Sequence, residues 1–191
     1  MFFSILCLPL PIMKIGIFCS ANNKIAHQYF DMAKQLGEWM AQEGHTLVFG
    51  GCNSGLMECV GTAVHGAGGM TIGVIPSLIE KGGRVSESVD VEVPCDNLSD
   101  RKDLMMAQAD VFIALPGGIG TLDELFTVAA SRTIGYHNKC VILYNINGFW
   151  NPLIALLNAM KAQGMVRGEW TDGIKVASNL DEIKDLVGKM G

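Results

Sequence analysis

Six short, almost uninterrupted apolar runs punctuate this chain, and between them lie longer segments whose apolar residues recur at helical spacing. That alternation predicts a parallel sheet wrapped by helices, because strands buried on both faces have no need of a polar side. The runs are Ile15–Cys19, Thr46–Phe49, Thr71–Ile75, Val111–Leu115, Val141–Tyr144 and Ile174–Ala177. Val89–Val93 alternates instead, with Asp90 and Glu92 on one face, which places it at an edge or in an excursion. Tyr29, Met32, Ala33, Leu36, Trp39 and Met40 form one stripe on a helix. Five more helices are expected, from about Gly55 to His65, from about Asp100 to Gln108, and over 122–134, 152–163 and 180–189, the last capped by Ser178 or Asn179.

No repeat, low-complexity tract or linker divides the 191 residues. The expected architecture is therefore one doubly wound, Rossmann-like α/β domain over residues 14–191, with a mostly parallel sheet and its ligand outside the carboxyl ends of the strands. Residues 1–13 are apolar but carry Pro9 and Pro11 and lack a basic leading region or a cleavage site. They read as a loose tail or an upstream-start artefact, since Met13-Lys14 is a suitable start for a cytosolic protein. No uncharged apolar stretch reaches about 18 residues, so no transmembrane helix and no membrane partner are expected. Cys7, Cys19, Cys52, Cys59, Cys95 and Cys140 form no CxxC pair, and His27, His45, His65 and His137 share no metal-ligand spacing. No metal site is expected, and free thiols fit a cytoplasmic location. A net charge of -5 argues against nucleic acid as a partner.

Two glycine-rich turns fall where a strand gives way to a helix. The first is Phe49-Gly50-Gly51-Cys52-Asn53-Ser54-Gly55-Leu56-Met57; the second is Leu115-Pro116-Gly117-Gly118-Ile119-Gly120-Thr121-Leu122-Asp123-Glu124. Glycines permit tight turns and close backbone approach, and the open N–H groups of a helix N-terminus attract an anion. Neither turn is a P-loop, because no Gly-Lys-Ser/Thr follows, and no G-x-G-x-x-G follows the first strand. Thr121 either donates a hydroxyl to the ligand or caps its helix. Asp123-Glu124 either complement the helix dipole or reach the sugar of a ligand whose phosphate sits on the turn. Arg101-Lys102, opening an earlier helix, oppose that helix's dipole, so they read either as an ordinary solvated pair or as groups placed for the same ligand. Met57, Met105 and Met106 read as packing, His137 as part of a turn, and Trp39, Trp150 and Trp170 are not distinguished from one another.

Taken together, Pro116-Gly117-Gly118-x-Gly120-Thr121-x-x-Glu124 preceded by Arg101-Lys102 resembles the signature of the LOG family. These are cytokinin-activating phosphoribohydrolases often labelled lysine decarboxylases. Ile17-Phe18-Cys19-Ser20-Ala21, Gly50-Gly51-x-x-x-Gly55-Leu56-Met57 and Gly73-Val74-Ile75-Pro76 extend the likeness through most of the chain. The resemblance implies a homodimer that needs no cofactor. It would hydrolyse the N-glycosidic bond of a purine ribonucleoside 5′-monophosphate, such as AMP or an N6-modified AMP. Arg101 and Glu124 are then the catalytic pair. Ser20, Gly51, Gly55, Lys102, Gly117, Gly118, Ile119, Gly120, Thr121, Leu122 and Asp123 line the nucleotide site, with Glu80 as a further acid. Three departures bear on base recognition: Glu58 in place of Gly, Leu98-Ser99-Asp100 before Arg101, and Ala130-Ser131-Arg132-Thr133 after Glu124.

Two rivals stand beside this reading. Molybdenum-cofactor carriers resemble the same fold and use a similar Pro-Gly-Gly-x-Gly-Thr turn, without turnover. A pyridoxal-phosphate decarboxylase needs a Schiff-base lysine in a buried site, and no lysine here stands in a recognisable setting for one.

Overall fold

The computed structural model describes residues 11–190, so Cys7, Pro9 and most of the expected apolar tail lie outside the described residues. Met13, assigned to that tail from sequence, is buried. Its N–H donates to Nδ1 of His45 at 3.1 Å.

Seven strands build one sheet: β1 (Lys14–Phe18), β2 (Thr46–Phe49), β3 (Thr71–Pro76), β4 (Val91–Cys95), β5 (Val111–Ala114), β6 (Val141–Tyr144) and β7 (Ile174–Ala177). Their spatial order is β4-β3-β2-β1-β5-β6-β7 and every pairing is parallel, where the sequence suggested a mostly parallel sheet. Alternating Val89–Val93 belongs to the edge strand β4, which starts two residues later than its pattern. The Asp90 carboxylate there accepts hydrogen bonds from the Thr71 backbone N–H at 2.8 Å and pairs with His65 at 2.9 Å.

Among the described residues six α-helices connect the strands and a seventh follows β7: α1 (His27–Gln42), α2 (Gly55–Gly66), α3 (Ser77–Lys81), α4 (Leu98–Gln108), α5 (Ile119–Thr133), α6 (Asn151–Ala162) and α7 (Leu180–Gly188). The short α3 has no counterpart among the expected elements, because five residues are too few to show a period. Helix α4 starts before Asp100 because the Asn97 side chain accepts the N–H groups of Ser99 and Asp100. Helix α5 starts at Ile119, so three residues expected to continue the turn form its first helical turn instead. Asn179, the second of the two expected caps, accepts the Glu182 N–H at 2.9 Å.

Buried residues of α1, α2 and α7 pack on one face of the sheet, and those of α4, α5 and α6 on the other. Within the second layer Phe112 stacks on Phe18 with centroids 5.0 Å apart. The chain leaves β1 in both directions, through β2–β4 on one side and β5–β7 on the other. That reversal opens a crevice at the carboxyl ends of β1 and β5, into which both glycine turns feed. No helix among the described residues is long and apolar enough to cross a membrane.

Candidate active site

Three chain segments meet at the crevice, one after each of β2, β1 and β5. Ser20, just past β1, joins them. Its N–H donates to the Pro116 carbonyl at 3.1 Å, its carbonyl accepts the Leu56 N–H at 2.8 Å, and its Oγ accepts the Asn22 N–H at 3.1 Å. Gly55 is held in the left-handed region at φ 61°, and a β-carbon there would stand within 2.6 Å of the Ser20–Asn22 backbone. Only glycine fits where these two turns cross. Gly51 also lies in that region, and its carbonyl accepts the Ser86 N–H at 2.8 Å, tying the turn to the segment after α3.

The third segment is the anion-binding candidate. Gly118 caps α5 without a side chain, and no hydrogen bond among the described residues uses the N–H groups of Ile119, Gly120 or Thr121. Open donors at a helix start are an anion site in waiting. Thr121 does not cap the helix; it is buried, with its hydroxyl folded against Gly117 so closely that a β-carbon there would be 2.1 Å from Oγ1. The Ile119 side chain points to solvent and that of Leu122 packs into the second layer, so both offer the crevice only backbone.

Around this turn stand four charged groups. Lys102 Nζ lies 2.9 Å from each carboxylate oxygen of Asp123. Arg101 extends from α4 across the end of β2, where its guanidinium rests on Gly50 and Nη2 sits 3.9 Å from the Met57 sulfur. Its Nε is buried without a partner, and no carboxylate among the described residues lies within 4.0 Å of it. An unpaired, partly buried cation is costly unless a ligand completes it. Glu124, one helical turn into α5, is partly buried, and burial pushes its carboxyl up to about 7; Arg101 pulls it down, Asp123 pushes it up and Lys102 opposes. Burial and then the Glu124 charge push the Cys19 thiol well up, against Arg101, so Cys19 is a neutral wall rather than a nucleophile.

A cavity of about 190 Å³ adjoins the turn, lined by Ser20, Ile25, Tyr29, Pro116, Gly117, Gly118 and Phe149. Tyr29 and Phe149 meet edge to face with centroids 5.9 Å apart. Phe149 is delivered there because its neighbour Trp150 donates Nε1–H to the Ala114 carbonyl at 3.1 Å, pinning the segment after β6 to the end of β5. A larger cavity of about 420 Å³ lies between α1 and α2, but none of the site residues line it.

The structure brings the second glycine turn, Arg101 and Glu124 to one crevice, and adds Tyr29 and Phe149, which the sequence reading did not single out, beside Gly50 and Cys19, which it quoted only as parts of longer motifs. Met57, read as packing, is buried and also receives Arg101. Nothing in sequence marks these contacts, because each depends on strand order. Glu80 lies exposed on α3, its carbonyl accepts the Gly83 N–H at 3.0 Å, and its carboxylate makes no hydrogen bond or ion pair among the described residues. Trp39 packs edge-on against His45, and Trp170 donates to Asn158, so no tryptophan lines the cavity. Of the departures, Arg132 donates to the carbonyls of Asn138 and Lys139, tying the end of α5 to the segment before β6. No group of three or more His, Cys, Asp or Glu among the described residues is placed to hold a metal ion.

Comparison with known proteins places these residues in context. A family described as "Possible lysine decarboxylase" matches residues 57–187, a span that includes Arg101 and Glu124. The chain is 37% identical over 154 residues to a rice (Oryza sativa subsp. japonica) protein named probable cytokinin riboside 5′-monophosphate phosphoribohydrolase LOGL2, covering 81% of this chain and 63% of that protein. It is 33% identical over 174 residues to the Arabidopsis thaliana cytokinin riboside 5′-monophosphate phosphoribohydrolase LOG2, covering 91% and 82%. The chain therefore spans less than two thirds of the first relative and about four fifths of the second. Among solved structures, the molybdenum cofactor carrier protein of Chlamydomonas reinhardtii superposes with a TM-score of 0.73 over 94% of this chain and 98% of that one. The molybdenum cofactor binding protein of Rippkaea orientalis gives 0.71 over the same shares. Both are 23% identical, a likeness of fold alone.

Proposed function

The chain belongs to the LOG family, and from that premise we propose that it hydrolyses the N-glycosidic bond of a purine ribonucleoside 5′-monophosphate, AMP or an N6-modified AMP, without a cofactor. The observation that carries this reading is the bracketing of Glu124. An open anion-binding turn lies on its β5 side, and an unpaired guanidinium lies on its β2 side.

With the phosphate on the N–H groups of residues 119–121, the sugar lies beside Glu124 and the purine towards Arg101. The C1′–N9 bond breaks with its electron pair going to the base, through an oxocarbenium-like state. Ionised Glu124 stabilises that charge and accepts a proton from the water whose oxygen bonds to C1′. Arg101 then offsets the negative charge arriving on the purine, and a proton from solvent completes the free base. Ribose 5-phosphate is the other product. Phosphate binding at the turn converts affinity into orientation of C1′.

The family's decarboxylase label does not fit these residues. Lys102, the lysine beside Arg101, donates to both oxygens of Asp123 at 2.9 Å, and Lys24 on the segment after β1 is exposed. A Schiff-base lysine must instead be free and neutral. Homodimerisation belongs to the same proposal, supported by the outward apolar residues Ile119 and Phe126 of α5 and Leu156 and Met160 of α6. Sedimentation at micromolar concentration measures it.

The test is product analysis. Incubation with AMP and N6-modified AMP should release free base and ribose 5-phosphate, and Glu124→Gln should not. Tight nucleotide or cofactor binding with no product from any nucleoside monophosphate, at high protein concentration, points to a carrier instead.

A further inference from the structure

We infer that Met57 is a positioning residue for Arg101: its thioether holds the guanidinium over Gly50 by a contact weak enough to be given up when a ligand arrives. The inference rests on the hydrolase reading for its kinetic consequences, while the resting contact is measurable without turnover.

Three groups share one small space at the end of β2. A β-carbon on Gly50 would stand 1.5 Å from Arg101 Nη2 and 2.9 Å from the Met57 sulfur, so the bare glycine admits cation and sulfur together. Nη2 lies 3.9 Å from that sulfur, and among the described residues the Arg101 side chain has no other hydrogen-bond partner. The backbone leading into Met57 is fixed. The Gly55 N–H donates to Asn23 Oδ1 at 2.7 Å, and the Leu56 N–H donates to the Ser20 carbonyl at 2.8 Å. Arg101 is fixed at its own base, where its N–H donates to the Asn97 carbonyl at 3.0 Å. Two anchored helix starts, those of α2 and α4, thus meet through two flexible side chains.

A stronger acceptor, Glu58, is the next residue in the chain, yet its carboxylate serves α2 itself. Its Oε1 accepts the Thr62 hydroxyl at 3.4 Å, and neither oxygen forms an ion pair with Arg101. An arginine–carboxylate pair engages the planar fork of the guanidinium and is strong, so it would compete with any ligand. A thioether is an uncharged, weak acceptor on an unbranched side chain that adapts to what it touches. Met57 therefore keeps the cation in place and leaves its charge for the ligand. Packing alone would need only the volume of methionine, which leucine matches.

The experiment compares Met57→Leu, which keeps the volume and removes the acceptor, with Met57→Gln, which supplies a stronger one. Guanidinium NMR of arginine-labelled protein, with the Arg101 signals assigned by their loss in Arg101→Gln, reads the resting contact. Rotation about the Cζ–Nη bonds and exchange of the Nη hydrogens should be faster in Met57→Leu and slower in Met57→Gln than in the parent protein. Both variants should lower kcat, by about threefold to tenfold in Met57→Leu and by more in Met57→Gln, with KM within about twofold. In an Arg101→Gln background neither substitution at position 57 should lower kcat further. Guanidinium dynamics equal to those of the parent in both variants would overturn the inference, and so would a further loss of turnover in the Arg101→Gln background. A tenfold rise in KM at unchanged kcat in Met57→Leu overturns it as well, by placing the sulfur on the substrate. If Met57→Gln does not fold, Met57→Leu decides through the same readouts. If the parent protein turns over no nucleoside monophosphate, the hydrolase reading fails while the NMR still decides the contact.

Discussion

Arg101 lies so tightly over Gly50 that a β-carbon on the glycine would stand 1.5 Å from Nη2 and 2.7 Å from Cζ of the guanidinium. The missing side chain at position 50 is the space that the cation occupies. The obstructed atoms are the far end of a flexible side chain, so Gly50→Ala should move Arg101 and leave the fold intact. The expected outcome is a loss of kcat approaching that of Arg101→Ala, with a melting temperature within roughly 3 °C of the parent, about 1 kcal/mol for a chain of this size. Normal turnover in Gly50→Ala would remove Arg101 from the chemistry.

Gly55→Ala should behave in the opposite way. Its β-carbon meets the backbone of Ser20–Asn22 at 2.5–2.6 Å, and φ is 61°. Backbone cannot swing aside, so the cost is about 1–3 kcal/mol of strain or more. Thermal melts should show a drop of several degrees, and unchanged stability would contradict the crossing of the two turns.

Glu124→Gln should lower kcat by about 10²–10⁴-fold, the range for removal of a positioned acid–base group. With the phosphate on the turn, as proposed, Arg101→Gln should act mainly on kcat. An Arg101→Gln variant with normal kcat and a strongly raised KM would instead put Arg101 on the phosphate. Steady-state kinetics separates the two.

The pH dependence follows from the raised Glu124 carboxyl at about 7. Chemistry needs the ionised form, so kcat/KM should climb as pH rises through about 7 and level off above it. Stability should run the other way. The native carboxyl holds its proton up to about 7 while the unfolded one releases it near its ordinary value of 4.5, so stability falls between those values as pH rises. Glu124→Gln should therefore melt roughly 5 °C above the parent at pH 8 and close to it at pH 4.5. Calorimetry at the two pH values checks this.

His45 gives an acid-side prediction. Burial lowers its proton affinity, with Glu43 opposing, and its Nδ1 accepts the Met13 N–H. A native imidazole that resists protonation is penalised once the unfolded one takes a proton, so stability should fall as pH drops below about 6.5. His45→Gln should flatten that fall between pH 7.5 and 5.5. An equally steep loss in the variant would assign the acid sensitivity elsewhere.

Periodicity and turn chemistry are local, and what rests on them was legible in the chain. The six apolar runs became strands within a residue of their expected ends, because residues buried on both faces must be apolar wherever the strand lies in the sheet. The strand-to-helix turn at Pro116-Gly117-Gly118 and the stripe on α1 were readable because turn chemistry and helical period are equally local, although Ile119–Thr121, read as more of the turn, are helix. Local signals failed where side chains replaced periodicity: Asn97 drew α4 forward, Asp90 delayed β4, and α3 was too short to show a pattern.

Only the tertiary structure decided who faces whom. Placing β5 beside β1 brings Asp110 within 2.8 Å of the Lys14 N–H across 96 residues, and the same adjacency sets the Pro116 turn against Ser20. Arg101 reaches Gly50 and Met57 because α4 leaves the far edge strand and returns over β2 to start β5. Lys102 finds Asp123, Phe149 finds Tyr29, and Glu80 stays in solvent, all through strand order. The chain by itself determined an α/β domain with a parallel sheet and a glycine-rich turn opening a helix. The arrangement of that turn, Arg101 and Glu124 into a site came from packing, since burial on both faces says that a strand is central but not which strands are its neighbours.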